Sequence, residues 1–432
     1  MTNNTIHVPD NYQPKLRQII QSPLDQDSYK FSMGQAIYHQ FPSYTTTWTF
    51  KCRNQGIKFT PEMVMEIAAQ IQMYCRLRFT EEELTYLAGI KWLKPDYIAF
   101  LRLWHPNFED FEITTDGPNG LTIEATGTWL NTSMYEVPVL AIVNEVYFRM
   151  FYGSEQDGLP GYVGLPTFEN LMESFHERLN SKFDKVEDGR WRAGVFSEFG
   201  TRRRLSRTAQ ELAIQRFSQL NKNPESNSRF IGTSNAYLAK KYNLTPVGTM
   251  AHEFIMCAGQ GNHKHNPAYS NWYALDAWIR EYGILNGIAL TDTIGTPCFL
   301  RDFQLTYATL FSGVRHDSGD PIEWGEVMLK HYKSLGIDPI NKTLLFSDSL
   351  DFQKTDRIYR HFQDRCQIAF GIGTYLANDT CVDPLNIVMK VTKCNGQDVA
   401  KLSDAPGKSM CKNPDYVDYL NRAVNWRLKH GE

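Results

Sequence analysis

The chain has 432 residues, 42% of them hydrophobic, 22% charged and 13% aromatic, with a formal net charge of −3. That composition excludes a disordered chain, and the near-neutral balance argues against a general nucleic-acid or membrane-surface binder. The length favours one large barrel with a second, smaller domain.

The start, MTNNTIHVPDNYQPKL, has no basic segment leading into an apolar core and no small-residue cleavage site, so neither export nor anchoring is expected. A capping box, Thr80 to Glu83, opens a helix, and Leu121 to Thr128 alternates like a strand after the turn Gly117-Pro118-Asn119-Gly120. Thr132 to Phe151 reads as a long, mostly buried helix, and the glycine-rich stretch Gly153 to Gly164 as a linker or loop. Beyond about residue 190 the texture changes to short apolar or β-branched runs separated by polar turns and helical patterns. The runs are Ala193–Phe199, Arg229–Ile231, Thr245–Val247, Gly287–Leu290, Phe311–Val314, Thr343–Phe346 and Gln367–Phe370. Helical spacing fills several of the intervals, as in Trp272–Tyr282, Glu323–Leu335 and Phe352–Phe362. Strand–helix alternation implies parallel strands, and about seven such units favour an α/β barrel over an open sheet. No stretch approaches the roughly 20 apolar residues of a spanning helix. The eight cysteines include no Cys-x-x-Cys pair, which predicts a reduced, cytoplasmic protein.

The turns after the strands carry the chemistry: FGTRRR, GTS, GTMAHE, LTDT, VRHDSGD, FSDS and GIGT. Any one of them could be ordinary loop and capping chemistry. In a barrel, however, all strand ends converge on one face, so seven polar turns would meet in a single bowl. Ser347 in FSDS and Gly371, Gly373 and Thr374 in GIGT follow the last two strands, where barrels commonly hold a phosphate. Arg315, Asp317, Ser318 and Gly319 crowd one turn, and the pairing of arginine with aspartate suits a phosphorylated sugar. Asp320 caps the following helix, which explains that residue alone. Phe199 offers an aromatic face beside Arg202, Arg203 and Arg204, cations that disfavour a helix start unless an anion binds nearby. Thr249 and His252 lie just past a strand end; a lone histidine there is usually structural, but it can also serve as base or nucleophile. His263 and His265 lack a third ligand, and no metal site is assigned to them.

Eleven segments in order carry a resemblance: LDQDSYKFSMGQAIYH, EVPVLAIVNEVYFR, FGTRRRLS, GTSNAYLAKK, TPVGTMAHE, ALTDT, GVRHDSGDPIEWGE, LLFSDSLD, GIGT, PLNIVMKV and AKLSDAPGK. Through them the chain resembles the nicotinate phosphoribosyltransferase family, among the type II phosphoribosyltransferases. The resemblance implies an irregular TIM-like α/β barrel over residues 151–384 and a mixed α+β N-terminal domain over 1–150, completed by residues from about 385–432. It implies transfer of phosphoribosyl from 5-phosphoribosyl 1-pyrophosphate to nicotinate, forming nicotinate mononucleotide and pyrophosphate in NAD salvage. ATP is then a co-substrate that phosphorylates His252, and Mg²⁺ rides on substrate oxygens with no protein ligand named. By the same resemblance Tyr29 and Phe199 stack on the pyridine, Thr249, Arg315 and Arg202 contact nicotinate, and Asp317 takes the ribose hydroxyls. Ser318, Gly319, Ser347, Gly371, Gly373 and Thr374 complete the phosphoribosyl site, and His252, Arg315 and Asp317 are the catalytic set. The tyrosine of a related enzyme comes from the neighbouring subunit, which would make this chain a homodimer.

Three other readings use the same turns. A phosphosugar aldolase or isomerase would need a lysine or carboxylate base in the bowl, and none of the strand-end turns contains a lysine. A non-catalytic sensor would not need His252 beside Arg315 and Asp317. The same chemistry on nicotinamide is the nearest rival, and the wording of GTMAHE and GVRHDSGD sides with nicotinate.

Overall fold

Two sheets, one antiparallel and one parallel, organise the chain. In the computed structural model, residues 6–115, 117, 120–223, 226–405 and 411–431 are described. Pro118 and Asn119 of the turn read from sequence, and Pro406 to Lys408 of the last segment, lie outside them.

The first strands are β1 (Thr45–Cys52), β2 (Phe111–Thr114) and β3 (Thr122–Thr128). Threonines and aromatics fill β1, residue types that fit a pleated surface. Seven parallel strands follow: β4 (Gly194–Glu198), β5 (Ser228–Thr233), β6 (Thr245–Pro246), β7 (Ile288–Leu290), β8 (Gly313–His316), β9 (Thr343–Phe346) and β10 (Gln367–Ile372). The chain then returns to the first sheet as β11 (Ile387–Cys394) and β12 (Gln397–Asp398). The antiparallel order is β12-β11-β1-β3-β2, with Phe50 opposite Met389. Residues more than 300 positions apart in sequence thus share one ladder.

The parallel order is β6-β5-β4-β10-β9-β8-β7, the first strand of the barrel pairing with the last. This is the curled, irregular α/β barrel that the strand–helix rhythm predicts. It has one seam. β6 is two residues long, and its Pro246 has no N–H to donate across to β7. At the seam the Thr249 hydroxyl donates to the Ile288 carbonyl at 2.9 Å, replacing a ladder with a single bond.

Some element bounds differ from the sequence reading for local reasons. The long helix starts at Glu136 rather than Thr132 and runs to Tyr152. Pro138 is tolerated only in a helix's first turn, which fixes the start just before it, and Trp129–Thr132 forms a separate turn. β8 begins at Gly313 because the helix Leu305–Leu310 occupies the chain up to Phe311. β10 extends to Ile372 and so takes Gly371 into the strand. Among the described residues no helix is long and apolar enough to cross a membrane.

Candidate functional site

A cavity of about 630 Å³ opens at the carboxyl ends of the barrel strands, between them and the antiparallel sheet. The barrel contributes Phe199, Arg202, His252, Arg315, Asp317, Ser347, Gly373 and Thr374 to its lining. The long helix contributes Glu136, and β1 and β11 with their neighbours contribute Arg53, Asn386, Lys390 and Lys401.

His252 is the first residue of the helix His252–Gln260 and is 8% exposed. Its Nε2 lies 2.8 Å from Asp292 Oδ1 and 3.6 Å from Asp317 Oδ2. Burial and the nearby Lys401 ammonium push its pKa down, against the pull of Asp292, and the positive end of a helix acts in the same direction. The ring is therefore neutral at ordinary pH. With its proton on Nε2, shared with Asp292, Nδ1 keeps the lone pair of a nucleophile.

A tight ionic cluster surrounds that ring. Lys401 Nζ sits 2.8 Å from Asp292 and 3.8 Å from Asp317. Asp317 is held well below the usual carboxylate range chiefly by the Arg315 guanidinium and the Lys401 ammonium, which outweigh the cost of its burial. Arg315 uses all three nitrogens: Nε donates to Ser347 Oγ at 2.9 Å, Nη1 to the Met250 carbonyl at 3.3 Å and Nη2 to Asp317 at 3.1 Å. Arg202 is less tied, with Glu136 at 3.3 Å, Asp27 at 3.7 Å and 34% of its side chain exposed.

The turn that carries Phe199 and Arg202 is fixed from below. Glu198 accepts bonds from the Gly200 amide, the Thr233 hydroxyl and the Gln210 amide, and burial pushes its pKa up to about 7. The Phe199 ring rests on Gly371, where a Cβ would overlap it.

Five of the residues predicted for the site are not part of the lining. Gly371 lies inside β10 and makes room for the Phe199 ring. Thr249 has its hydroxyl committed to the barrel seam rather than turned to a ligand. Ser318 is buried, donating to Asp292 and accepting from Ser403, so it braces the ionic cluster from behind. Gly319 has φ of +86°, a backbone demand that glycine meets without strain. Tyr29, 7% exposed, packs under Gly248 of its own chain, where a Cβ on Gly248 would stand 3.1 Å from the Tyr29 amide. Glu136, Arg202, Asp27 and Glu253 surround its hydroxyl, and burial with those acids pushes its pKa up.

The strand-end turns contain no lysine, yet the bowl is not free of them: Lys390 and Lys401 reach the cavity from β11 and the loop beyond it. Both are ion-paired, Lys390 with Glu136 at 3.2 Å and Lys401 with Asp292. Arg53 and Arg203 face no carboxylate among the described residues; burial, Arg202 and Arg53 push Arg203 down to about 10. Asp292, Lys401, Lys390, Arg53 and Glu136 escaped the sequence reading, although all but Arg53 lie in its diagnostic segments. His265, set aside as a metal ligand, instead stacks on Tyr273 with ring centroids 3.6 Å apart.

Fold and site together define an α/β barrel with a cation-lined cavity at its strand ends and a buried histidine–aspartate pair beside it. The nicotinate phosphoribosyltransferase (NAPRTase) family profile matches residues 195–427, and that of its N-terminal domain matches residues 24–144. A nicotinate phosphoribosyltransferase of Ralstonia nicotianae is 46% identical over 94% of this chain and 98% of its own length. One of Cupriavidus necator is 44% identical over 94% and 98%. A crystal structure titled as a putative nicotinate phosphoribosyltransferase from Saccharomyces cerevisiae superposes with a TM-score of 0.85 at 33% identity, over 95% of this chain and 100% of that one. The Vibrio cholerae nicotinate phosphoribosyltransferase gives 0.83 at 33%, over 96% of each. The chain belongs to the nicotinate phosphoribosyltransferase family.

Proposed function

We propose that this chain joins nicotinate to the phosphoribosyl group of 5-phosphoribosyl 1-pyrophosphate, yielding nicotinate mononucleotide and pyrophosphate, in the cytoplasmic salvage of nicotinate into NAD. The observation that carries the reading is the cavity floor, where neutral His252, Asp292, Lys401, Asp317 and Arg315 meet beneath an anion-binding wall. The pyridine nitrogen attacks the anomeric carbon and pyrophosphate leaves, so no protein base is required. Ser347 and the Gly373–Thr374 turn take the 5′-phosphate, and Arg53, Arg203 and Lys390 offer positive charge to the pyrophosphate. Phe199 stacks on the ring. Arg202 reads the nicotinate carboxylate, because its side chain is 34% exposed at the cavity while three of the five N–H donors of Arg315 are already committed.

ATP enters as the second phosphoryl source. Nδ1 of His252 attacks the γ-phosphorus, ADP departs, and water later hydrolyses the P–N bond to free phosphate. His252 lines the same cavity as the sugar-phosphate groups, so charging its ring changes how the substrates are held. For Mg²⁺, His252, Asp292 and Asp317 offer ligand atoms within 4.8 Å of one another. Lys401 already compensates both carboxylates, so the residues fit an ion arriving on substrate oxygens rather than a resident one. When bound, it shields the charge of the departing pyrophosphate. Tyr29 packs within its own chain, outside the cavity lining, and light scattering of the active enzyme tests whether the chain is a homodimer.

The test is incubation with γ-labelled ATP, followed by assays of nicotinate consumption with and without ATP. Acid-labile, base-stable label should enter the wild type and not His252→Ala, and label at wild-type level in the variant would refute the assignment. Equal consumption of nicotinamide would refute the substrate.

A further inference from the structure

An acid stands in the wall of the proposed phosphate site. Gly373, Thr374, Tyr375, Asn378 and Asp379 all line the same end of the cavity. A carboxylate near a bound phosphate repels it by an amount set by distance and local dielectric, unless its charge is cancelled. The cancellation comes from outside the cavity. The helix Phe168–Glu187 presents Arg178 and Lys182 one turn apart. Arg178 Nη1 lies 2.9 Å from one Asp379 oxygen and Lys182 Nζ 2.6 Å from the other.

The two cations are not equivalent. The Arg178 side chain is 49% exposed, so water and salt screen it, whereas that of Lys182 is 6% exposed. The Lys182 ammonium also donates to the Tyr375 carbonyl at 2.5 Å and lies 4.0 Å from the centre of the Tyr375 ring. Burying an ammonium is costly unless it is paired, and every contact of this one is to the turn that bounds the cavity. Neither Lys182 nor Arg178 lines the cavity itself.

We propose that Lys182 is a positioning residue for the phosphorylated substrate: from behind the wall it neutralises Asp379, so that the Gly373–Thr374 turn accepts a phosphate monoester. The identity of that ester, the 5′-phosphate of a phosphoribosyl group, rests on the function proposed above. The neutralisation itself does not.

Calorimetric titration with ribose 5-phosphate tests the proposal on the wild type, Lys182→Met, Asp379→Asn and the double variant, with KM for nicotinate as the control. Lys182→Met should weaken binding about tenfold, the effect of losing one buried positive charge roughly 10 Å from the phosphate at a near-surface dielectric, with only the screened Arg178 left on Asp379. Asp379→Asn should bind at least as tightly as the wild type, and the double variant should recover to within about twofold of it. A mere clamp between helix and turn would leave the double variant as weak as Lys182→Met, and that result overturns the proposal. So does weaker binding by Asp379→Asn, which decides the matter alone if Lys182→Met fails to fold. A wild type that ignores ribose 5-phosphate also overturns it. If instead the wild type binds this ester yet makes no mononucleotide from nicotinate, the functional reading fails and the role of Lys182 stands.

Discussion

On the barrel wall of the cavity Asp317, Ser347 and Arg315 already have partners, and Asp292 and Ser318 brace them, His252 and Lys401 from behind. The opposite wall, reached through the antiparallel sheet, carries cations, of which Arg53 faces no carboxylate among the described residues and Lys390 only Glu136. The first wall is organised before any ligand arrives, as preorganised chemistry requires. The second has positive charge to spare for the anionic substrates proposed above. Substitutions in the paired wall should therefore damage chemistry and stability together, and those in the cationic wall should damage binding alone.

The largest effect separates the two at once. Asp292→Asn keeps the shape of the side chain but removes the charge that fixes the His252 tautomer, and labelling of His252 by ATP should slow by roughly 10³-fold. Its thermal midpoint should drop too, because Lys401 loses its nearer partner. On the other wall Arg53→Ala should raise KM for phosphoribosyl pyrophosphate about tenfold, with unfolding free energy unchanged to within about 0.5 kcal/mol. A destabilised Arg53→Ala would erase the distinction. At the seam, Thr249→Val should cost about 1 kcal/mol of stability in a denaturant titration while leaving KM for nicotinate near the wild-type value. A large rise in that KM would return Thr249 to the ligand.

The smallest effect is one of pH. His252 is held below its ordinary value of 6.5 in the folded chain. The unfolded chain therefore takes up that proton first, and stability declines as pH falls below 6.5 toward the folded value. Replacing His252 with Gln should flatten that part of the stability curve. Labelling by ATP should lose rate only at a lower pH than a free imidazole would, because burial and Lys401 hold the ring's pKa down.

The barrel was legible because each strand is a short apolar run ended by a distinctive turn, and the bowl followed from topology alone. Phe199, Arg202, His252, Arg315, Asp317, Ser347, Gly373 and Thr374 duly share one cavity. The cationic wall was not legible. Arg53 and Lys390 sit at ordinary strand positions and reach the site only because β11 pairs with β1 across the length of the chain, which no local spacing encodes. Asp292 lies in a turn that was read, but an aspartate there looks like any loop or capping residue. Gly371 shows a glycine signal with a packing cause that sequence could not name: a Cβ there would overlap the Phe199 ring.

The seam between β6 and β7 gives the barrel a compliant joint. Neighbouring parallel strands elsewhere in the ring are locked by ladders of backbone bonds, whereas this pair is held by the Thr249 hydroxyl, worth about 1 kcal/mol. The helix bearing His252 begins three residues past that hydroxyl. His252, the proposed phosphoryl acceptor, is thus mounted beside the strand pair of the barrel with the fewest bonds between its members, away from the ladders that carry Arg315, Ser347 and Gly373.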